Sequence, residues 1–132
     1  MRVKSLRGLI ALAGLLLVAL PALAHHSFVA EFDGDKEAIV KGVLTKVVWS
    51  NPHVYIFMDV TGANGKVLEY RFQTAPPSML HKVGISKEDF KIGDTVTMTY
   101  APAKDPAATT LGWMKMIKYS DGHLYVYRDG SE

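Results

Sequence analysis

The chain has 132 residues, with 15 Lys or Arg against 13 Asp or Glu, five His and no Cys. Without Cys there are no disulfides, no Cys-ligated structural zinc and no lipidated N-terminal cysteine. The length corresponds to one domain, and the near balance of charge excludes a strongly basic, nucleic-acid-binding chain.

The first segment reads as an address. Arg2, Lys4 and Arg7 form a positive start, and Leu9 to Leu20 is an uncharged apolar run of 12 residues. Pro21 breaks the run, and Ala22-Leu23-Ala24 supplies the small-x-small pattern of a signal peptidase site. A membrane-spanning helix needs about 20 apolar residues, so residues 1–24 are expected to be a cleaved signal peptide. The mature protein would then be periplasmic or secreted and start at His25. Cleavage would leave 108 residues and remove three basic residues and no acidic one, taking the formal charge from +2 to −1. Charges interrupt every later apolar stretch, so no stable membrane insertion is expected after cleavage. Residues 25–37 read as an N-terminal arm and 38–132 as a single β-rich domain.

The body of the chain has mostly a period of two. Ala38 to Trp49 is a β-branched-rich run in which Gly42 marks a bulge or sharp bend, and Ser50-Asn51-Pro52 turns the chain. His53 to Val60 alternates, with Val54, Ile56, Met58 and Val60 on one face and His53, Tyr55, Phe57 and Asp59 on the other. Asn64-Gly65 is a hairpin signal leading to a partner strand, Lys66 to Gln73, with Leu68, Tyr70 and Phe72 on one face. Pro76-Pro77 opens a short helix through Lys82, closed by Gly84, and Ser86 with Asp89 reads as a capped single turn. Lys91-Ile92-Gly93-Asp94 turns into a strand from Thr95 to Tyr100. A loop follows from Ala101 to Thr110, then a strand from Leu111 to Tyr119. Asp121-Gly122 makes a turn, and Leu124 to Arg128 closes the pattern. Five or six antiparallel strands, a bent first strand and one helical insertion predict a mostly β fold, a small OB-like barrel. A six-stranded β-sandwich is the alternative.

The chain resembles a family of small exported bacterial proteins known as a domain of unknown function. The residues that carry the resemblance are His25-His26-Ser27-Phe28 with Glu31-Phe32-Asp33, then Trp49-Ser50-Asn51-Pro52-His53, the Asn-Gly hairpin and the Lys91–Asp94 turn. It covers nearly the whole mature chain. It implies an exported β-rich domain, points at His25, His26 and His53, and supplies no activity.

Those histidines have a chemistry of their own. A terminal His25 would offer its α-amino nitrogen and its ring Nδ1 to one metal ion, and the α-amino group, with a pKa of about 7.7–8.0, can yield its proton near neutrality. A third nitrogen from His26 or His53 would complete a planar nitrogen site that suits copper first. Alternatively the paired His are accidental features of a chain end and His53 bonds to backbone. His81 on the helix and His123 after the turn read as surface residues.

Catalysis has little support. Ser27 adjoins two His but lies in no nucleophile elbow, and Glu31 with Asp33 reads as solvated acids rather than a hydrolase pair. Met58, Met98, Met114 and Met116 sit at strand spacing and read as core fill rather than Cu(I) ligands. The many aromatics, among them Trp49, Tyr55, Phe57 and Trp113, read mainly as barrel core and cross-strand pairs. The expectation is a non-catalytic binding protein whose partner is a metal ion or, in the metal-free alternative, a small ligand or envelope protein. No nucleic-acid partner is expected, since Lys115, Lys118 and Arg128 make no basic stripe.

Overall fold

The computed structural model describes residues 28–127. The chain divides into two units, Met1–Glu31 and Phe32–Glu132; the architecture that follows is that of the second. His25, His26, Ser27 and the signal segment lie outside the described residues. Among the described residues no helix is long and apolar enough to cross a membrane.

Six strands form one sheet: β1 (Ala38–Val48), β2 (Val54–Thr61), β3 (Val67–Thr74), β4 (Thr95–Pro102), β5 (Leu111–Tyr119) and β6 (Leu124–Val126). A short helix, α1 (Pro77–Lys82), and a 3-10 turn, Lys87–Asp89, lie between β3 and β4. The strand order is β3-β2-β1-β4-β5-β6, and a parallel β3–β5 pairing, Arg71 to Gln73 against Leu111 to Trp113, joins the ends. Five strands therefore close on themselves and β6 is an addition to β5. Closure removes the free edges that two stacked sheets would leave, so the barrel holds and the sandwich does not.

Strand β1 makes closure possible. Its first half, Ala38 to Val43, pairs with β4, and its second half, Val43 to Val48, pairs with β2. Gly42 sits where the partners change, and a side chain there would overlap the Asp59 carbonyl oxygen on β2. The glycine thus permits close strand approach. The register slip itself falls three residues later, between Leu44 and Lys46.

The period-two reading locates the core. Val54, Ile56, Met58 and Phe72 are fully buried, as are Met98 and Met114 on the facing strands. Each such side chain contributes about 1.5–3 kcal/mol by leaving water. Leu68 departs from the expectation: it is 42% exposed, while Tyr70 on the same face packs on Tyr100; β3 gains its second partner strand, β5, only from Arg71 onward. Strand β4 runs two residues beyond its predicted end at Tyr100, while β6 stops at Val126.

The helix ends as its sequence suggests. Gly84, with φ of 83°, donates to His81 O, and Ile85 donates to Leu80 O at 2.9 Å. This paired closure satisfies two terminal carbonyls and needs the left-handed residue that glycine supplies. Buried Leu80 and Ile85 then plug the barrel end beneath it.

Candidate functional site

His53 stands at the mouth of the barrel, between the β1–β2 turn and the first residue of β2. Trp49 fixes the front of that turn by packing on Phe90, ring centroids 6.1 Å apart, and on His81 at 5.7 Å. Ser50 Oγ donates to His53 O at 3.1 Å, and the Asn51-Pro52 peptide between them is cis. The His53 ring is held from the neighbouring strand, with Nδ1 3.1 Å from the Thr74 carbonyl oxygen. A carbonyl only accepts, so Nδ1 carries the proton and the neutral ring keeps its lone pair on Nε2.

The ring also has aromatic neighbours. Trp113 meets it edge-on at 5.8 Å and Tyr55 at 6.5 Å. Trp113 in turn packs on Phe32 at 5.9 Å and on Tyr127 at 6.5 Å. Phe32 is buried, bridges Ala103, and is followed by Asp33, whose N–H donates to Pro102 O. Lys115 holds this stretch with bonds to Gly34 O at 3.0 Å and to the Glu37 carboxylate at 3.3 Å. The barrel unit therefore begins one aromatic ring away from His53.

Beside His53 the outer surface of β2, β3 and β5 is ordered in rows. Tyr55, Gln73 and Trp113 are cross-strand neighbours, and Lys46, Phe57 and Arg71 form the next row. Lys46 Nζ lies 5.3 Å from the Phe57 ring centre, and the Arg71 guanidinium 5.8 Å from that of Tyr55. Tyr55, Phe57 and Trp113 are half-buried. The alternation of β2 and its hairpin with β3 assign Tyr55, Phe57 and Arg71 to this face; that Trp113 joins them follows from the β3–β5 pairing, which has no local sequence signal.

A second polar cluster links the 3-10 turn to the β5–β6 hairpin. The Asp89 carboxylate accepts from Ser86 N at 2.7 Å, Ser86 Oγ at 3.1 Å and Tyr125 Oη at 2.9 Å. Burial works against its charge, but the Ser86 N–H, the Tyr125 hydroxyl and the Ser86 hydroxyl together hold its pKa below the ordinary 3.8. The same bond, with burial next, raises the Tyr125 pKa. Tyr119, which donates to the Asp89 carbonyl oxygen, is pushed up strongly by burial and then by neighbouring Tyr125 and Asp89. Exposed His123 stacks on Tyr119 at 4.5 Å and bonds Asp121.

Of the sequence candidates, only His53 lies within the described residues; His25 and His26 do not. His81 and His123 are exposed, His81 against Trp49 and His123 against Tyr119. Among the described residues no three or more His, Asp or Glu gather as a metal cluster. Three of the strand methionines, Met58, Met98 and Met114, are fully buried in the core. Asp33 pairs with Lys36 at 2.9 Å, and that hydrogen bond is the main cause holding its carboxyl below the ordinary range.

The closed five-strand barrel with its added strand and short helices defines a small OB-like β-barrel protein. Residues 12–120 match the model of a family of unknown function, DUF6152, and the chain belongs to that family. Among solved structures, the ZRD-deleted mutant of TiaS in complex with agmatine is similar at 15% identity and a TM-score of 0.44, covering 76% of this chain and 24% of that one. The yeast Stn1 and Ten1 structure is similar at 12% identity and a TM-score of 0.39, covering 70% of this chain and 43% of that one. This chain thus spans less than half the length of either. No curated protein matches it.

Proposed function

We propose that this is an exported, non-catalytic binding protein that holds a copper-type metal ion through His25, His26 and His53. The observation that carries the reading is the His53–Thr74 bond. Metal-ligating His residues commonly donate their other ring N–H to a backbone carbonyl or carboxylate, which fixes the tautomer and raises ligand basicity. His53 has that arrangement, with Nε2 as its donor nitrogen. Cleavage after Ala24 would expose the amino group and ring of His25 as further nitrogen donors. Nitrogen donors of this kind favour Cu(II) over the other divalent first-row ions.

The test uses protein secreted and processed in the cell, its N-terminus verified as His25 by mass spectrometry. Titration with Cu(II) should give one equivalent with a nitrogen-ligated paramagnetic resonance spectrum. His53→Ala should change that spectrum, and one extra residue before His25 should weaken binding. Equal affinity in extended and processed protein would remove the terminal chelate.

A second reading is a metal-free module that holds a ligand on its β-surface. It is supported by the half-buried Tyr55 and Phe57 on the outer face of β2, with Trp113 beside them on β5. Titration calorimetry against candidate ligands, with Trp113→Ala as the comparison, tests it; equal heats for both proteins would reject this face.

A further inference from the structure

Resting on the reading of this face as a binding surface, we propose that its ligand is an acidic sugar chain, a glycan bearing carboxylates on its rings. The rows of the sheet give the reason. Tyr55, Gln73 and Trp113 lie side by side on β2, β3 and β5, so two aromatic rings flank one amide. Flat aromatic faces take the apolar side of a sugar ring, and an amide between them supplies both donors and an acceptor for hydroxyl groups.

The next row adds charge of one sign. Lys46, Phe57 and Arg71 are neighbours on β1, β2 and β3, with Lys46 over the Phe57 ring and Arg71 over the Tyr55 ring. Among the described residues neither cation has a carboxylate partner. Strand spacing puts their backbones about 10 Å apart across the row. A cation lying against a ring is pre-positioned, and its remaining N–H groups suit a carboxylate, which arginine can grip with two parallel bonds.

The row after that limits the class. Asp59 and Glu69 face each other across β2 and β3, two residues below Phe57 and Arg71. Both are exposed. A single-stranded nucleic acid following these strands would carry its phosphates onto that acidic pair, and the face offers only two cations against it. A sugar chain has lower charge density, and lying across the strands it meets the aromatic and cationic rows alone.

The experiment measures binding of three probes to the secreted, processed protein by titration calorimetry: a tetragalacturonate, the same oligosaccharide fully methyl-esterified, and a short oligo(dT). The acid should bind, and the ester should bind at least about tenfold more weakly, since each lost charge-assisted bond is worth about a factor of ten. Lys46→Gln and Arg71→Gln should each weaken the acid about tenfold while leaving the ester unchanged. Both side chains are exposed, so thermal melting should match the parent and separate loss of contact from loss of fold. Equal binding of acid and ester would overturn the acidic assignment and leave the face as a binding surface. Tighter binding of oligo(dT) would overturn it in favour of nucleic acid. Binding of none of the three would reject acidic glycans, and copper titration of the same sample would then report on the metal reading separately.

Discussion

His53 and Thr74 are joined across β2 and β3 by a bond from the imidazole Nδ1 to a backbone carbonyl at 3.1 Å. The bond settles which ring nitrogen is free, because the carbonyl can only accept. In nitrogen-detected NMR near pH 8, His53 should show a protonated Nδ1 and an unprotonated Nε2. The reverse tautomer would break the link between this bond and any ligand role for Nε2.

The Thr74 side chain has the opposite fortune. It is fully buried, and among the described residues its hydroxyl has no hydrogen-bond partner. An unsatisfied buried hydroxyl costs about 1–3 kcal/mol, and Val has nearly the same shape. Thr74→Val should therefore raise the free energy of unfolding by about 1 kcal/mol in urea denaturation. It should leave the His53 bond intact, because that bond uses the backbone. A less stable variant would mean that the hydroxyl is satisfied in solution.

Two glycines stand where chain meets chain. A methyl group at Gly42 would overlap the Asp59 carbonyl oxygen, and one at Gly112 would overlap the Tyr100 ring. Tyr100 packs on Phe72 with ring centroids 4.9 Å apart and cannot retreat without disturbing the core. Gly42→Ala and Gly112→Ala should each destabilise the barrel by about 1–3 kcal/mol or more, as overpacking does. Gly65→Ala makes the contrast. Nothing crowds that position, but its φ of 77° strains any side chain, so its cost should fall with Asn in place of Ala, whereas Asn at 42 should be no better tolerated. Equal tolerance at 42 and 65 would contradict the close approach of β1 and β2.

Asp89 ties stability to acid. Its pKa is lowered in the folded protein, against the pull of burial, by Ser86 and Tyr125. A carboxyl with a lowered folded pKa contributes stability above its unfolded value and loses it as the pH falls through the folded one. Unfolding measured between pH 6 and pH 2 should show a decline that Asp89→Asn reduces. Tyr125→Phe should move the Asp89 titration upward in NMR. An unchanged decline in Asp89→Asn would assign the acid sensitivity elsewhere.

Tyr119 carries the alkaline counterpart. Its folded pKa is raised, chiefly by burial, so it favours the folded state below the ordinary value of 10 and loses that contribution as the pH climbs beyond it. Phenolate absorption should be incomplete in the folded protein at pH 11 and be completed on unfolding, and Tyr119→Phe should shrink that delayed step, leaving the parts due to Tyr100 and Tyr125. A full phenolate signal from the folded protein at that pH would show Tyr119 open to solvent.

Local pattern by itself determined most of the elements. Alternation along Val54 to Met58 set the core face of β2, Gly84 set the end of α1, and Ser86 with Asp89 set the capped turn, because each rests on contacts a few residues apart. Tertiary structure decided the rest. The β3–β5 pairing that turns a sheet into a barrel joins residues about forty positions apart in sequence, and backbone hydrogen bonds leave no mark on side-chain identity. The same pairing brings Trp113 to His53, so the candidate site was legible only in the part that β2 and its hairpin partner β3 supply. Sequence could select His53, but only the strand placed beside it could choose which of its nitrogens is held.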